Sequence, residues 1–131
     1  MWLIAEDDDD IRMLVQTLAM SWGYQSIVFE SGQRVWEWLD KVENGQYSGP
    51  MPDFALMDIR MPGKAGNEIA TRMRTVPPTQ HIPIVLMTAF ALNQEQKDNM
   101  TRNGADEIIH KPLPDFDQLH HILHEVIQNK N

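Results

Sequence analysis

Short apolar runs alternate along this chain with longer stretches in which apolar residues recur every three or four positions. The runs are Leu3-Ile4-Ala5, Ser26-Ile27-Val28-Phe29, Phe54-Ala55-Leu56-Met57-Asp58, Pro83-Ile84-Val85-Leu86-Met87-Thr88 and Glu107-Ile108-Ile109-His110. Each has strand length and is bounded by polar or turn-forming residues. The third and fourth are almost wholly apolar, as expected of strands buried on both faces of a parallel sheet.

Between the runs the period becomes helical. Ile11, Leu14, Val15, Leu18, Ala19 and Trp22 mark one inward face, with Asp8 or Asp9 as N-cap and Gly23 as terminator. After Ser31, a second face is expected at Val35, Trp36, Leu39 and Val42. Gly63 to Asn67 lead into a third helix, with Ile69, Ala70 and Met73 inward and Pro77-Pro78 closing it. A polar fourth helix runs from Asn93 to near Asn103-Gly104. Asp115 opens a fifth, with Phe116, Leu119, Ile122, Leu123, Val126 and Ile127 apolar. The polar loop from Asn44 to Pro52 is long for such a connection and reads as a local insertion.

Strand then helix, five times, predicts an α/β fold: a three-layer, doubly wound (βα)5 domain with right-handed crossovers. Its parallel five-stranded sheet would have the flavodoxin-like order 2-1-3-4-5. Residues 1–131 read as one domain.

Composition narrows the function. The net charge is −8, from 19 acidic and 11 basic residues, and Glu6-Asp7-Asp8-Asp9-Asp10 is an unbroken acidic run. Such a surface repels phosphates, which argues against direct nucleic acid binding. Cys is absent, which excludes disulfides and zinc-thiolate sites. No apolar run reaches bilayer length and no basic-apolar leader precedes the first strand, so a cytoplasmic location without membrane insertion is expected.

In a parallel sheet all strand ends of one sense share an edge. Glu6 and Asp7 end the first strand, Asp58 the third, Thr88 the fourth and Lys111 the fifth. With strands one and three adjacent at the switch point, the acids meet in one crevice beside a hydroxyl and an ammonium. Clustered carboxylates repel one another unless something positive lies between them. Lys111 is one candidate and a divalent cation the other. Oxygen-only donors that leave room for water suit Mg²⁺, with Mn²⁺ as its substitute. A metal so held can neutralise charge on a phosphoryl group. Asp58 would then be the nucleophile that becomes an acyl phosphate, with Thr88 donating to a phosphoryl oxygen and Lys111 pairing with either state.

Ile4-Ala5-Glu6-Asp7-Asp8, Met57-Asp58-Ile59-Arg60-Met61-Pro62-Gly63, Met87-Thr88-Ala89, Gly104-Ala105 and Lys111-Pro112, in this order, resemble the receiver domain of two-component response regulators, the CheY-like superfamily. The resemblance covers essentially the whole chain. It implies a phosphorelay in which a sensor histidine kinase or a histidine phosphotransfer protein phosphorylates Asp58. It implies Mg²⁺ held by Asp7, Asp58 and the backbone carbonyl of Arg60, with Glu6 acting mainly through water. It also implies a cis Lys111-Pro112 bond, inward movement of Thr88 on phosphorylation, slow self-catalysed hydrolysis, and a surface of helix four, strand five and helix five that is reshaped and can dimerise. Such a protein is a signalling phosphoacceptor and not a conventional enzyme.

Some positions depart from the family pattern. Ile108 stands where an aromatic switch residue is common, so ordinary packing is expected there. Ala65 replaces an acid that helps cap helix three. Arg60 and Phe90, each two residues beyond Asp58 and Thr88, flank the approach to the acyl phosphate and are expected to lengthen its life. His120, His121 and His124 read as a solvated helix face, and His110 as a strand-end residue.

Three rival functions fit the sequence less well. An interaction-only pseudo-receiver usually lacks one of the acids or the lysine, all present here. An FMN carrier of the same topology needs a hydroxyl- and glycine-rich loop after strand one, where this chain has five acids. A metal-dependent phosphatase or Toprim-like enzyme wants a second acid two residues beyond the first, where Arg60 stands.

Overall fold

The computed structural model describes residues 1–130. Its elements are β1 (Trp2–Ala5), α1 (Asp9–Ser21), β2 (Ser26–Phe29), α2 (Gly32–Glu43), β3 (Phe54–Asp58), α3 (Gly66–Met73), β4 (Ile84–Thr88), α4 (Gln94–Arg102), β5 (Glu107–His110) and α5 (Phe116–Lys130). The five strands form one all-parallel sheet in the order β2-β1-β3-β4-β5, as the sequence predicts.

The sheet is buried on both faces, so each central strand divides its residues between two cores. Leu3, Ala5, Ala55, Met57, Ile84 and Leu86 face one layer with Val35 and Leu39 of α2 and Ile69 and Met73 of α3. Trp2, Ile4, Phe54, Leu56, Val85 and Met87 face the other, with Val15 and Ala19 of α1 and Leu119 and Leu123 of α5. This is the period-two alternation of strands, in which both sets are apolar because both faces are covered.

Predicted caps hold the helix ends. Asp8 accepts the Ile11 N–H at 3.0 Å, Ser31 the Arg34 N–H at 3.2 Å, and Asp115 the Gln118 N–H at 2.9 Å. Asn93 and Gln96 form a reciprocal capping box at the start of α4. Ala65 precedes α3 with no side-chain cap bond, as expected from the missing acid. Gly63, at φ +85°, turns the chain where a side chain would meet Gln33.

Four expectations need correction. Trp38, and not Trp36, joins Val35, Leu39 and Val42 on the buried face of α2; the spacing 35, 38, 39, 42 fits one helical stripe better. Leu14 is 50% exposed, because it lies outside the stripe set by Val15 and Ala19. Pro77-Pro78 do not close α3, which ends at Met73; they begin a separate 3-10 turn, Pro77–Thr79. Within the loop from Asn44 to Pro52, Tyr47 packs on Trp38 and donates its hydroxyl to the Pro50 carbonyl at 2.8 Å.

The last correction concerns the histidines. His124 is half-buried: it hydrogen-bonds the Tyr24 hydroxyl at 2.8 Å and stacks on His120 at 3.9 Å, with the edge of Trp22 beside both. His120 and His121 stay exposed as expected, His121 beside Glu125.

Candidate functional site

The carboxyl ends of β1, β3, β4 and β5 converge as the topology requires. Parallel pairing sets Ala5 opposite Met57, so the residues that follow, Glu6 and Asp58, emerge side by side. Asp58 lies opposite Met87 and Thr88 opposite His110, which brings Thr88 and Lys111 to the same edge. Backbone bonds lock this register past the strand ends: the Lys111 N–H donates to the Thr88 carbonyl at 2.7 Å and the Ile59 N–H to the Met87 carbonyl at 2.8 Å. The Lys111-Pro112 bond is cis, in agreement with the expectation.

Glu6, Asp7 and Asp58 each place a carboxylate oxygen within 4.8 Å of the others. Asp7 is exposed, whereas Glu6 is 0% and Asp58 6% exposed. Lys111 answers this charge. Its ammonium lies 2.9 Å from Glu6 Oε2 and 3.2 Å from Asp58 Oδ1. The other Glu6 oxygen accepts the Asp8 N–H at 3.1 Å, and the Glu6 carbonyl accepts from Arg12 Nη1 at 2.9 Å. Glu6 is thus committed on both oxygens, while Asp7 faces solvent.

Burial raises the pKa of both Glu6 and Asp58 above the usual carboxylate range, against the lowering effect of Lys111. For Asp58 the nearby Asp7 charge pushes the same way. Lys111 moves upward too: burial opposes its charge, but Glu6 and Asp58 outweigh that. The crevice therefore holds more negative charge than one ammonium neutralises.

Thr88 is 2% exposed, and its Oγ1 accepts the Phe90 N–H at 3.0 Å, which leaves its own O–H to donate. Arg60 extends from the loop after β3 and sets its guanidinium 4.6 Å from the Phe90 ring centre. The two residues that flank the approach in the sequence therefore touch one another. Ile108 is half-buried and packs against the α2–α3 core, as ordinary packing predicts. The structure thus gathers Glu6, Asp7, Asp58, Thr88 and Lys111, with Arg60 at the rim.

Two supports of this edge escaped the sequence reading. Gly66 fits against the Asp58 carbonyl, where a Cβ would come within 2.3 Å, so α3 approaches the end of β3 closely. Gly32 does the same between α2 and the Lys64 carbonyl. A glycine after a cap residue was the available signal for Gly32, but it does not name the partner backbone.

The donor set fits a hard divalent cation: three carboxylates, no sulfur or imidazole, and one carboxylate open to solvent. Among the described residues no helix is long and apolar enough to cross a membrane.

Comparison with known proteins agrees with this architecture. The response regulator receiver domain family matches residues 2–124. The polar-differentiation response regulator DivK of Brucella ovis is 30% identical over 111 residues, covering 85% of this chain and 83% of that protein. The 3',5'-cyclic-nucleotide phosphodiesterase regA of Dictyostelium discoideum is 28% identical over 111 residues, which is 85% of this chain but 13% of that protein. The chain likewise spans 6% of the hybrid signal transduction histidine kinase I of the same organism. In fold, a CheY-like receiver domain protein from Methanospirillum hungatei superposes with a TM-score of 0.78 at 24% identity, covering 98% of this chain and 94% of that one. With the acids, hydroxyl and lysine assembled at one sheet edge, and the match running through nearly the whole chain, this protein belongs to the response regulator receiver domain family.

Proposed function

We propose that residues 1–131 form a single receiver domain that accepts a phosphoryl group on Asp58 from the phosphohistidine of a sensor histidine kinase or a histidine phosphotransfer protein. The observation that carries this reading is Asp58 itself: a buried carboxylate at a strand end, paired with Lys111 and close to Glu6 and Asp7. An Asp58 oxygen bonds to phosphorus as the donor's nitrogen–phosphorus bond breaks. The donor nitrogen keeps the electron pair and takes a proton from solvent. Lys111 then pairs with the phosphoryl group, and the Thr88 hydroxyl donates to one of its oxygens.

Asp7, Asp58 and the Arg60 backbone carbonyl would hold Mg²⁺ directly, or Mn²⁺ in its place. Glu6, with both oxygens already engaged, would act through water. The bound cation would neutralise charge on the phosphoryl group during transfer. The remaining work is positioning by this chain's own residues. Hydrolysis of the acyl phosphate by water, at the same site, resets the domain without making it a conventional enzyme. We place this cycle in the cytoplasm, with the α4-β5-α5 face as the surface for a homodimer or a downstream partner.

Intact-mass measurement after incubation with acetyl phosphate tests the reading. A gain of one phosphoryl group that needs Mg²⁺ and is absent in Asp58→Asn is expected. No gain in the wild type, or an equal gain in the variant, would leave an interaction-only role.

A further inference from the structure

We propose that Trp36 of α2 is a positioning residue for the loop between Asp58 and α3, and hence for the metal-binding geometry. This rests on the reading above, in which Asp58 and the Arg60 carbonyl hold Mg²⁺.

The loop is gripped from outside by the first turns of α2. The Gln33 N–H donates to the Pro62 carbonyl at 3.2 Å. Gly32 sits so close to Lys64 that a Cβ would come within 1.7 Å of its carbonyl oxygen. Gly63 abuts Gln33 in the same way, with a virtual Cβ 2.7 Å from the Gln33 Cβ. The backbone of α2 and the crest of the loop therefore approach too closely for a side chain at Gly32 or Gly63.

Trp36 extends this grip one turn further. The Lys64 ammonium lies 4.5 Å from its ring centre, and the Arg72 guanidinium of α3 also lies 4.5 Å away. Arg72 Nη1 donates to the Trp36 carbonyl at 3.2 Å, and Nη2 reaches Asp40 at 2.7 Å and Glu43 at 3.2 Å. One indole thus ties the loop, α2 and α3 together. It explains why Trp36 is half-buried although it lies off the core stripe of α2.

The other end of the loop is fixed by β3 and by the Gly66 N–H, which donates to the Ile59 carbonyl at 2.9 Å. Arg60 to Lys64 are what remains to move. Cation–aromatic contact with Lys64 holds that crest, and a displaced crest carries the Arg60 carbonyl with it. None of these contacts involves Glu6, Asp7 or Asp58, so α2 is coupled to the site through the loop backbone.

The test measures Mg²⁺ affinity directly by titration calorimetry, beside unfolding in the absence of metal. Trp36→Leu is expected to bind Mg²⁺ about five-fold more weakly, and Trp36→Phe, which keeps an aromatic face, within about two-fold of wild type. Lys64→Met removes the loop's own contact and leaves α2 and α3 intact; about three-fold weaker binding is expected, and it serves if Trp36→Leu does not fold. Ile122→Ala, which loosens α5 away from the loop, is expected to lower stability and leave the Mg²⁺ affinity unchanged.

Wild-type affinity in a folded Trp36→Leu or in Lys64→Met would overturn the proposal. So would an equal loss in Trp36→Phe and Trp36→Leu, or an equal loss in Ile122→Ala, since either would reduce the effect to general stability. A folded wild type that binds no Mg²⁺ would instead overturn the metal reading on which the proposal rests.

Discussion

Replacing Asp58 by Asn keeps the side chain's shape and removes one negative charge from the crevice. Glu6 and Asp58 offer oxygens within 4.8 Å of one another. At an effective dielectric of about 20 that repulsion is about 3.5 kcal/mol. Asp7 is exposed and adds a screened repulsion of about 1–2 kcal/mol. Against these, Lys111 at 3.2 Å returns about 5 kcal/mol on the same scale. The Coulomb terms nearly cancel, so burial decides the sign. Burying a carboxylate costs several kcal/mol even after relaxation. This agrees with an Asp58 pKa above the usual range. Asp58→Asn should therefore stabilise the metal-free protein by about 2 kcal/mol at neutral pH. In urea with a chelator present, the unfolding midpoint should rise by about 1 M.

The pH dependence follows in sign. A carboxyl whose pKa is raised on folding favours the folded state when protonated. That contribution is present below the unfolded value and is lost as pH rises through the folded one. The gap between Asp58→Asn and wild type should thus be widest at neutral pH and close as the pH falls through the raised pKa toward 3.8. Mg²⁺ should stabilise wild type and leave the variant nearly unmoved. A midpoint that is unchanged or lower in Asp58→Asn at neutral pH, or a gap that stays constant into acid, would refute the reasoning.

Other substitutions probe the surrounding structure. Lys111→Met leaves Glu6 and Asp58 buried without a counter-charge and should cost about 3 kcal/mol in chemical denaturation, with Glu6→Gln restoring part of it; no loss would mean the ion pairs are not formed in solution. Arg74 donates to the carbonyls of Gln80, Ile82 and Gly104 and to Asp106, so Arg74→Met should cost about 3 kcal/mol in the same assay, and a change under about 0.5 kcal/mol would contradict that network. Phe90→Ala uncovers the site beside Arg60, and the acyl phosphate, followed by timed decay after removal of the donor, should hydrolyse several-fold faster; an unchanged decay would remove Phe90 from any shielding role.

Much of the fold was legible because both cores are built from the same simple signals. The runs at β3 and β4 are apolar on both faces, and Asp8, Ser31 and Asn93 announce their helices through caps. The site edge was legible because parallel topology makes strand ends coincide, so Glu6, Asp58, Thr88 and Lys111 needed no knowledge of contacts. The choice between Trp36 and Trp38 was only half legible, since the spacing 35, 38, 39, 42 favours Trp38 but gives Trp36 no role. The two tryptophans lie two residues apart on one helix, and the contacts of Trp36 with Lys64 and Arg72 show only in the packed layer. Arg74, Asp106 and Lys130 form a network across 32 and 24 residues of sequence, aimed partly at backbone carbonyls that no side-chain pattern reports. The Tyr24–His124 bond spans 100 residues and was hidden for the same reason.

Acyl phosphates are reduced by borohydride, which converts a phosphorylated aspartate to homoserine and leaves free carboxylates untouched. The central claim is tested most directly by treating the protein with acetyl phosphate and Mg²⁺, reducing it, and mapping the peptide that spans residues 54–60. The account predicts homoserine at position 58 alone, dependent on Mg²⁺. Reduction at Asp7 or another carboxylate, or none at any position, would contradict it.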